Sequence, residues 1–179
     1  VLKRGRDVTV FARRQEAMAP LVATGARRAS SPAEAAAQSD VTVTMVFDTA
    51  SVEEVTLGAR GVAEGARPGS IVVDHSTIVP DGARRIASAL HTRGISWLDA
   101  PVSGGAMAAA PGTLSIMVGG DEASLERARP ALECYGKTIA YIGPSGAGQV
   151  AKACNQICTI VNMLGAAEAM LLAERAGVD

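Results

Sequence analysis

A strand-like run from Thr138 to Ile142 leads into the glycine-rich turn Gly143-Pro-Ser-Gly-Ala-Gly148, and from there into a helical pattern that continues to about Ala176. Val150, Cys154, Ile157, Val161 and Leu164 recur at steps of three and four and form one apolar stripe. Lys152, Asn155, Gln156 and Thr159 share a different arc, and at 3.6 residues per turn the first three lie within roughly a 100° sector. A helix of this length with such a stripe needs a partner surface to bury it. The polar arc has two readings: a solvated face with a lysine stem lying along it, or a cation and two amides gathered for chemistry.

Upstream, strands alternate with helical patterns. Strand-like runs extend from Val8 to Phe11, Val41 to Val46, Ser70 to Asp74, Ser96 to Asp99 and Thr113 to Val118. Helical patterns lie between them, from Gln15 to Thr24, after Ser31-Pro32 as N-cap and first residue, from Ser51 to Leu57, Pro80 to Arg93 and Glu122 to Cys134. This alternation predicts an α/β fold with a doubly wound, mostly parallel sheet.

Composition removes several functions. With 179 residues, 48% hydrophobic, the chain can bury one good core. A net charge of −1 and only short arginine pairs, Arg27-Arg28 and Arg84-Arg85, give no nucleic-acid footprint, and 3% aromatic residues give no stacking platform. Cys134, Cys154 and Cys158 form no CxxC and are expected to be reduced and structural in a cytoplasmic protein. No run of 18 apolar residues is present, so no membrane partner is expected.

In doubly wound sheets, ligands bind beyond the carboxyl ends of the strands. The residues there are Ala12-Arg13-Arg14, Phe47-Asp48-Thr49, His75-Ser76-Thr77 and Ala100-Pro-Val-Ser103-Gly104-Gly105, all rich in polar groups or glycine. An acidic residue at the first of these positions would hold the ribose hydroxyl of NAD. Arg13 and Arg14 instead lean toward the 2′-phosphate of NADP, or are two exposed loop arginines. Ser103-Gly104-Gly105 offers a hydroxyl and open backbone N–H groups to a small carboxylate, or is a plain glycine turn. The G-x-x-G-x-G at Gly143 to Gly148 has the dinucleotide spacing reversed and follows the last strand, so it does not read as a phosphate loop.

Two of these segments carry a resemblance. Asp99-Ala-Pro-Val-Ser-Gly-Gly105 resembles the substrate-binding signature of the β-hydroxyacid dehydrogenases, and Gly143-x-x-Gly-x-Gly-x-x-x-Lys152-x-x-Asn155-Gln156 is similar to their catalytic signature, in the expected order. The family includes 3-hydroxyisobutyrate dehydrogenase, tartronate semialdehyde (2-hydroxy-3-oxopropionate) reductase and 6-phosphogluconate dehydrogenase. The resemblance implies a Rossmann domain over residues 1–143 and, over 144–179, the long interdomain helix that begins an all-helical domain mediating homodimers or homotetramers. Both chain ends then read as cut, with the first strand and phosphate loop expected upstream, and little activity is expected of these 179 residues alone.

The resemblance also implies roles. Lys152 matches the catalytic acid/base, and Ser103, Gly104 and Gly105 match the group that holds the substrate carboxylate. Val46, Phe47, Ser51 and Thr77 match cofactor-facing loops, and Arg13 the adenosine end of NADP or NAD, with NADP slightly favoured. Family members often carry Asn four residues after the lysine; here Asn155 is three after and Gln156 four after, so either can bind substrate. His75 receives no role. The implied substrate is a three- or four-carbon 3-hydroxy acid or semialdehyde, with tartronate semialdehyde ahead of 3-hydroxyisobutyrate. A Schiff-base lyase built on Lys152 and a non-catalytic dinucleotide-binding module are the alternatives from other classes.

Overall fold

The computed structural model describes residues 1–178. After a 3-10 turn at Leu2–Arg4 the elements run β1 (Thr9–Val10), α1 (Ala19–Ala23, preceded by a 3-10 turn at Gln15–Met18), β2 (Arg27–Arg28), α2 (Pro32–Ala37), β3 (Val41–Thr44), α3 (Thr49–Leu57), α4 (Val62–Gly65) and β4 (Ile71–Asp74). They continue as α5 (Pro80–His91), β5 (Ser96–Asp99), β6 (Val102–Ser103), α6 (Gly105–Ala109), β7 (Leu114–Gly120), α7 (Glu122–Leu132), β8 (Gly136–Gly143) and α8 (Ala147–Arg175).

The expected single sheet is two. β1 and β2 pair in parallel as a separate ribbon, while six strands form the main sheet in the order β3-β4-β5-β7-β6, with β8 also on β7. β3, β4 and β5 are parallel in register, Val43 beside Val73 and Val73 beside Leu98. β7 runs antiparallel to β5 and β6, which follow one another along its edge, and parallel to β8. The strand alternation places Val72 and Trp97 on one face with Ala83, Ile86 and Leu90 of α5, and Ile71, Val73 and Leu98 on the other with Leu125, Ala128 and Leu132 of α7. Helices therefore cover both faces, which explains why β4 is buried along its whole length.

Local caps fix where helices begin. Ser31, Asp48 and Asp121 each accept an N–H from three residues on, at 3.1, 2.8 and 2.8 Å. α8 starts differently. Its cap is Gly146, in the left-handed region at φ 91°, and its side-chain acceptor comes from another strand.

α8 packs by its first turns on β5, β7, β8 and α5 and then leaves the domain. By length and composition it is the one helix among the described residues that could cross a bilayer, although no uninterrupted apolar run was visible in the sequence; its Ile, Val, Leu, Met, Cys and Ala residues keep the average high despite the interspersed polar ones. Cys154 and Cys158 are exposed on it, so the expectation that they serve as structural apolar side chains is not met within this chain.

Candidate active site

Lys152 lies inward. Glycine at 148 lets the helix touch the sheet: a Cβ there would stand 2.5 Å from the carbonyl oxygens of both Asp99 and Met117. Four residues on, the same helix face carries Lys152, which is 8% exposed. Burial pulls its pKa below the ordinary lysine value. No hydrogen bond or ion pair among the described residues engages its ammonium. The solvated-face reading of the polar arc therefore fails at Lys152, while Asn155 is half-buried and Gln156 exposed.

Two clamps hold this turn. Asp99, at the end of β5, accepts Gly146 N–H at 2.7 Å through Oδ1 and Gln149 N–H at 3.1 Å through Oδ2. A carboxylate at a helix N-terminus also meets the positive end of the helix dipole. Burial nonetheless raises the Asp99 pKa, because desolvation outweighs those N–H bonds. The second clamp is the Gln149 amide, 2% exposed: Nε2 donates to the Ser76 carbonyl at 2.9 Å and Oε1 accepts Ile78 N–H at 3.0 Å.

The strand-end loops are tied to one another in turn. Asp74 Oδ1 accepts Thr44 Oγ1 at 2.8 Å and Ser76 Oγ at 2.7 Å, and Val46 N–H donates to Ser76 Oγ at 2.9 Å. Asp74 Oδ2 is buried without a partner, and desolvation pushes this carboxyl up to about 6. This web ties Val46 to Ser76, the residue before Thr77, beyond the carboxyl ends of β3 and β4, and leaves Thr77 exposed and Phe47 91% exposed. Ser51 is half-buried in the first turn of α3, its N–H on the Asp48 carboxylate. Arg13 lies exposed after β1, close enough to help lower the Asp48 pKa.

The loop after β5 follows the same edge. Met117 N–H donates to the Pro101 carbonyl at 3.0 Å, and Ser103 pairs with Ser115 across β6 and β7. Gly104 and Gly105 have φ of 118° and 59° and are exposed beside Ser103; a Cβ on Gly104 would stand 2.4 Å from that of Ala108, whereas one on Gly105 would meet nothing within 4 Å. His75, which sequence reasoning left without a role, supports this loop. Its Nδ1 donates to the Ala100 carbonyl at 2.6 Å, its Nε2 accepts the Tyr135 hydroxyl at 2.8 Å, and burial lowers its pKa so that the ring is neutral. Gln149 was also missed, although it shares the helix face of Lys152 and Gln156 at steps of three and four.

These donors suit a dinucleotide in part. A cation after β1, open loops after β3 and β4, and an exposed aromatic ring at Phe47 fit its adenosine and nicotinamide ends. The turn at Gly143 to Gly148 does not suit its phosphates: a Cβ on Gly146 would stand 2.6 Å from Arg84 Nη1, so protein fills that space.

Residues 1–143 match the NAD binding domain of 6-phosphogluconate dehydrogenase, and residues 146–179 match the NAD-binding region of NADP-dependent 3-hydroxyisobutyrate dehydrogenase. An NAD-dependent L-serine dehydrogenase of Pseudomonas aeruginosa is 45% identical over the whole chain, which covers 60% of that protein. The 2-hydroxy-3-oxopropionate reductase of Escherichia coli is 43% identical over 159 residues, 89% of this chain and 54% of that one. The structure of a Mycobacterium tuberculosis 3-hydroxyisobutyrate dehydrogenase superposes with a TM-score of 0.93 at 39% identity, covering 99% of this chain and 60% of that one. The chain thus spans about 60% of the length of such relatives. Its Rossmann layer, its two signatures and these matches together make it a member of the β-hydroxyacid dehydrogenase family, the group of 3-hydroxyisobutyrate dehydrogenase and 2-hydroxy-3-oxopropionate reductase.

Proposed function

We propose that the complete protein is a cytoplasmic NAD(P)-dependent oxidoreductase that interconverts a small 3-hydroxy acid and its semialdehyde. In this reading residues 1–143 bind the dinucleotide and 144–179 begin a helical domain through which the protein forms a homodimer or homotetramer. The observation that carries it is Lys152, buried without an anionic partner on a helix clamped to both strand-end loops.

The nicotinamide ring, when bound, supplies or takes the hydride. Thr77, Val46, Phe47 and Ser51 border its place, and Arg13 the adenosine end, where a cation favours NADP over NAD. Ser103 Oγ and the open N–H groups of Gly104 and Gly105 hold the substrate carboxylate. Asn155 or Gln156 bonds the rest of the small molecule. Lys152 gives a proton to the carbonyl oxygen in reduction and takes it from the hydroxyl in oxidation. Burial lowers its pKa from the ordinary lysine value, so the neutral amine is reached at lower pH than in an exposed lysine. Oxidation therefore speeds up as pH rises through the lowered pKa and reduction slows.

Tartronate semialdehyde is the favoured substrate, supported by the match to the E. coli reductase; 3-hydroxyisobutyrate is the second reading, supported by the match of residues 146–179. The test is a panel of 3-hydroxy acids with NAD+ or NADP+ on the complete enzyme, beside its Lys152→Ala variant. Turnover of the panel should fall about 10²- to 10⁴-fold in the variant with cofactor affinity kept within about threefold. A variant within tenfold of the parent, or oxidation of phosphorylated sugars alone, overturns the reading.

A further inference from the structure

We infer that Gln149 is a positioning residue for the reaction, a two-bond strut that sets the lysine-bearing turn of α8 against the Thr77 loop. The inference rests on the proposed roles of Lys152 and Thr77 and assigns a task to a side chain that contacts neither reactant.

The geometry is specific. Ser76 and Ile78 flank Thr77, and the two polar atoms of one amide take the carbonyl of the first and the N–H of the second, at 2.9 and 3.0 Å. Between these anchors Thr77 alone is exposed, while Ser76, Ile78 and Gln149 are all buried. Gln149 is also one helical turn before Lys152, so movement of the strut is movement of the ammonium. Its backbone N–H is held separately by Asp99, which starts the loop to Ser103. A single residue thereby ties Lys152 to the loop bordering the cofactor through its side chain, and to the loop bordering the substrate carboxylate through its main chain. Near-attack geometry tolerates little slack, and a misplacement of about 1 Å costs on the order of 100-fold in rate.

The pattern of donors gives a diagnostic substitution. Gln149→Glu keeps size and the acceptor toward Ile78 N–H but, when ionised, aims a charge at the Ser76 carbonyl. Protonated, the introduced carboxyl donates to that carbonyl and rebuilds the strut. Its pKa is set by burial and by Asp99 of β5 and Asp74 of β4, which raise it, against Lys152 of α8 and Arg84 of α5, the latter already paired with Asp81 at 2.7 Å. Burial and the two carboxyls dominate, so the strut is lost at high pH and regained at low pH.

The experiment uses the complete enzyme and follows kcat and KM for substrate and cofactor between pH 6 and 9 in the parent, Gln149→Glu, Gln149→Leu and Lys152→Ala. For Gln149→Leu the expectation is a kcat loss of about 10- to 100-fold that exceeds any change in either KM. For Gln149→Glu the ratio of its kcat to that of the parent should climb about tenfold or more from pH 9 to pH 6. A flat ratio, or Gln149→Leu within twofold of the parent in kcat, overturns the strut. If the leucine variant does not fold, the glutamate ratio still decides, because a purely structural loss is not restored by lowering pH in an enzyme whose fold, followed by circular dichroism, is unchanged. Lys152→Ala separates this from the parent reading: turnover there overturns the lysine's role, whereas its loss beside normal Gln149 variants overturns the strut alone.

Discussion

The first two turns of α8 and the turns that follow are one continuous helix in two different surroundings. From Gly146 to Lys152 the helix presents glycine, an amide and an ammonium to the sheet, and these are what it buries. Beyond that point Ile157, Val161 and Leu164 are each about 60% exposed, at 64%, 61% and 60%. The usual arrangement is thus inverted where the helix meets the domain, with Gln149 and Lys152 inward and the apolar stripe outward. An amphipathic pattern states which residues share a face and leaves open which face meets the domain. Here close backbone approach and polar clamps decide the inward side, and the apolar stripe is left for a surface this chain does not supply.

The largest effect should come from breaking the close approach. Gly148→Ala places a methyl group 2.5 Å from two backbone carbonyl oxygens that cannot rotate away, and 2.9 Å from Gly119 N. The helix must lift from β5 and β7, taking Asp99 and Gln149 off their partners. A loss of about 3 kcal/mol is expected in urea unfolding of the 179-residue chain, the size typical of an overpacked core.

A smaller effect sharpens the contrast in electrostatics, since the buried end of α8 rests on loops braced by carboxylates and the exposed turns do not. Asp74 braces Ser76 and is pushed up to about 6 from an ordinary 3.8. The folded state therefore keeps a proton that the unfolded state has lost. Stability falls as pH rises between those values and is level above them. Roughly two units correspond to about 3 kcal/mol, from which burying an amide in its place subtracts about 1 kcal/mol. Asp74→Asn should accordingly gain about 2 kcal/mol at pH 8 and lose about 1 kcal/mol at pH 3, where only the cost of the buried amide remains. Asp99 titrates in the same sense and His75 in the opposite one, its buried neutral ring losing stability as pH falls through the ordinary histidine range; His75 cancels when variant and parent are compared at each pH, whereas Asp99, whose charge helps raise the Asp74 pKa, adds its coupling to the difference.

Much of this was legible beforehand, for identifiable reasons. Ile71–Asp74 and Ser96–Asp99 are short runs rich in apolar residues between turn signals, and the strands lie where those runs do. Ser31-Pro32 opened a helix as its chemistry requires. Elements made by contact were not legible. Val102–Ser103 is a strand only because β7 runs beside it, and α4 exists by packing on α2, where a Cβ on Gly65 would sit 1.8 Å from the Ala33 carbonyl oxygen. The motif singled out Lys152, but its burial depends on Gly148 meeting β5 and β7, residues about thirty to fifty positions away. Gln149 carried a signal that was there to be used, an amide one turn before the lysine on the same face. Its partners, two backbone groups on either side of Thr77, could come only from the fold.

The smallest effect tests the other side of the comparison with the same substitution. Gly165 belongs to the same helix as Gly148, but a Cβ built there meets nothing within 4 Å. Gly165→Ala in the 179-residue chain then loses only the entropic penalty of glycine in a helix interior and should be neutral to about 1 kcal/mol stabilising. Because the turns around residue 165 are exposed among the described residues, the gain belongs to local helix formation. It should therefore appear as slower amide hydrogen exchange in the turns around residue 165, with the global unfolding midpoint moving little. One exchange of hydrogen for methyl thus reports opposite signs at two positions seventeen residues apart. A loss at Gly165 comparable to that at Gly148 would mean that the outer turns are already packed against a second surface in solution, and the comparison would collapse.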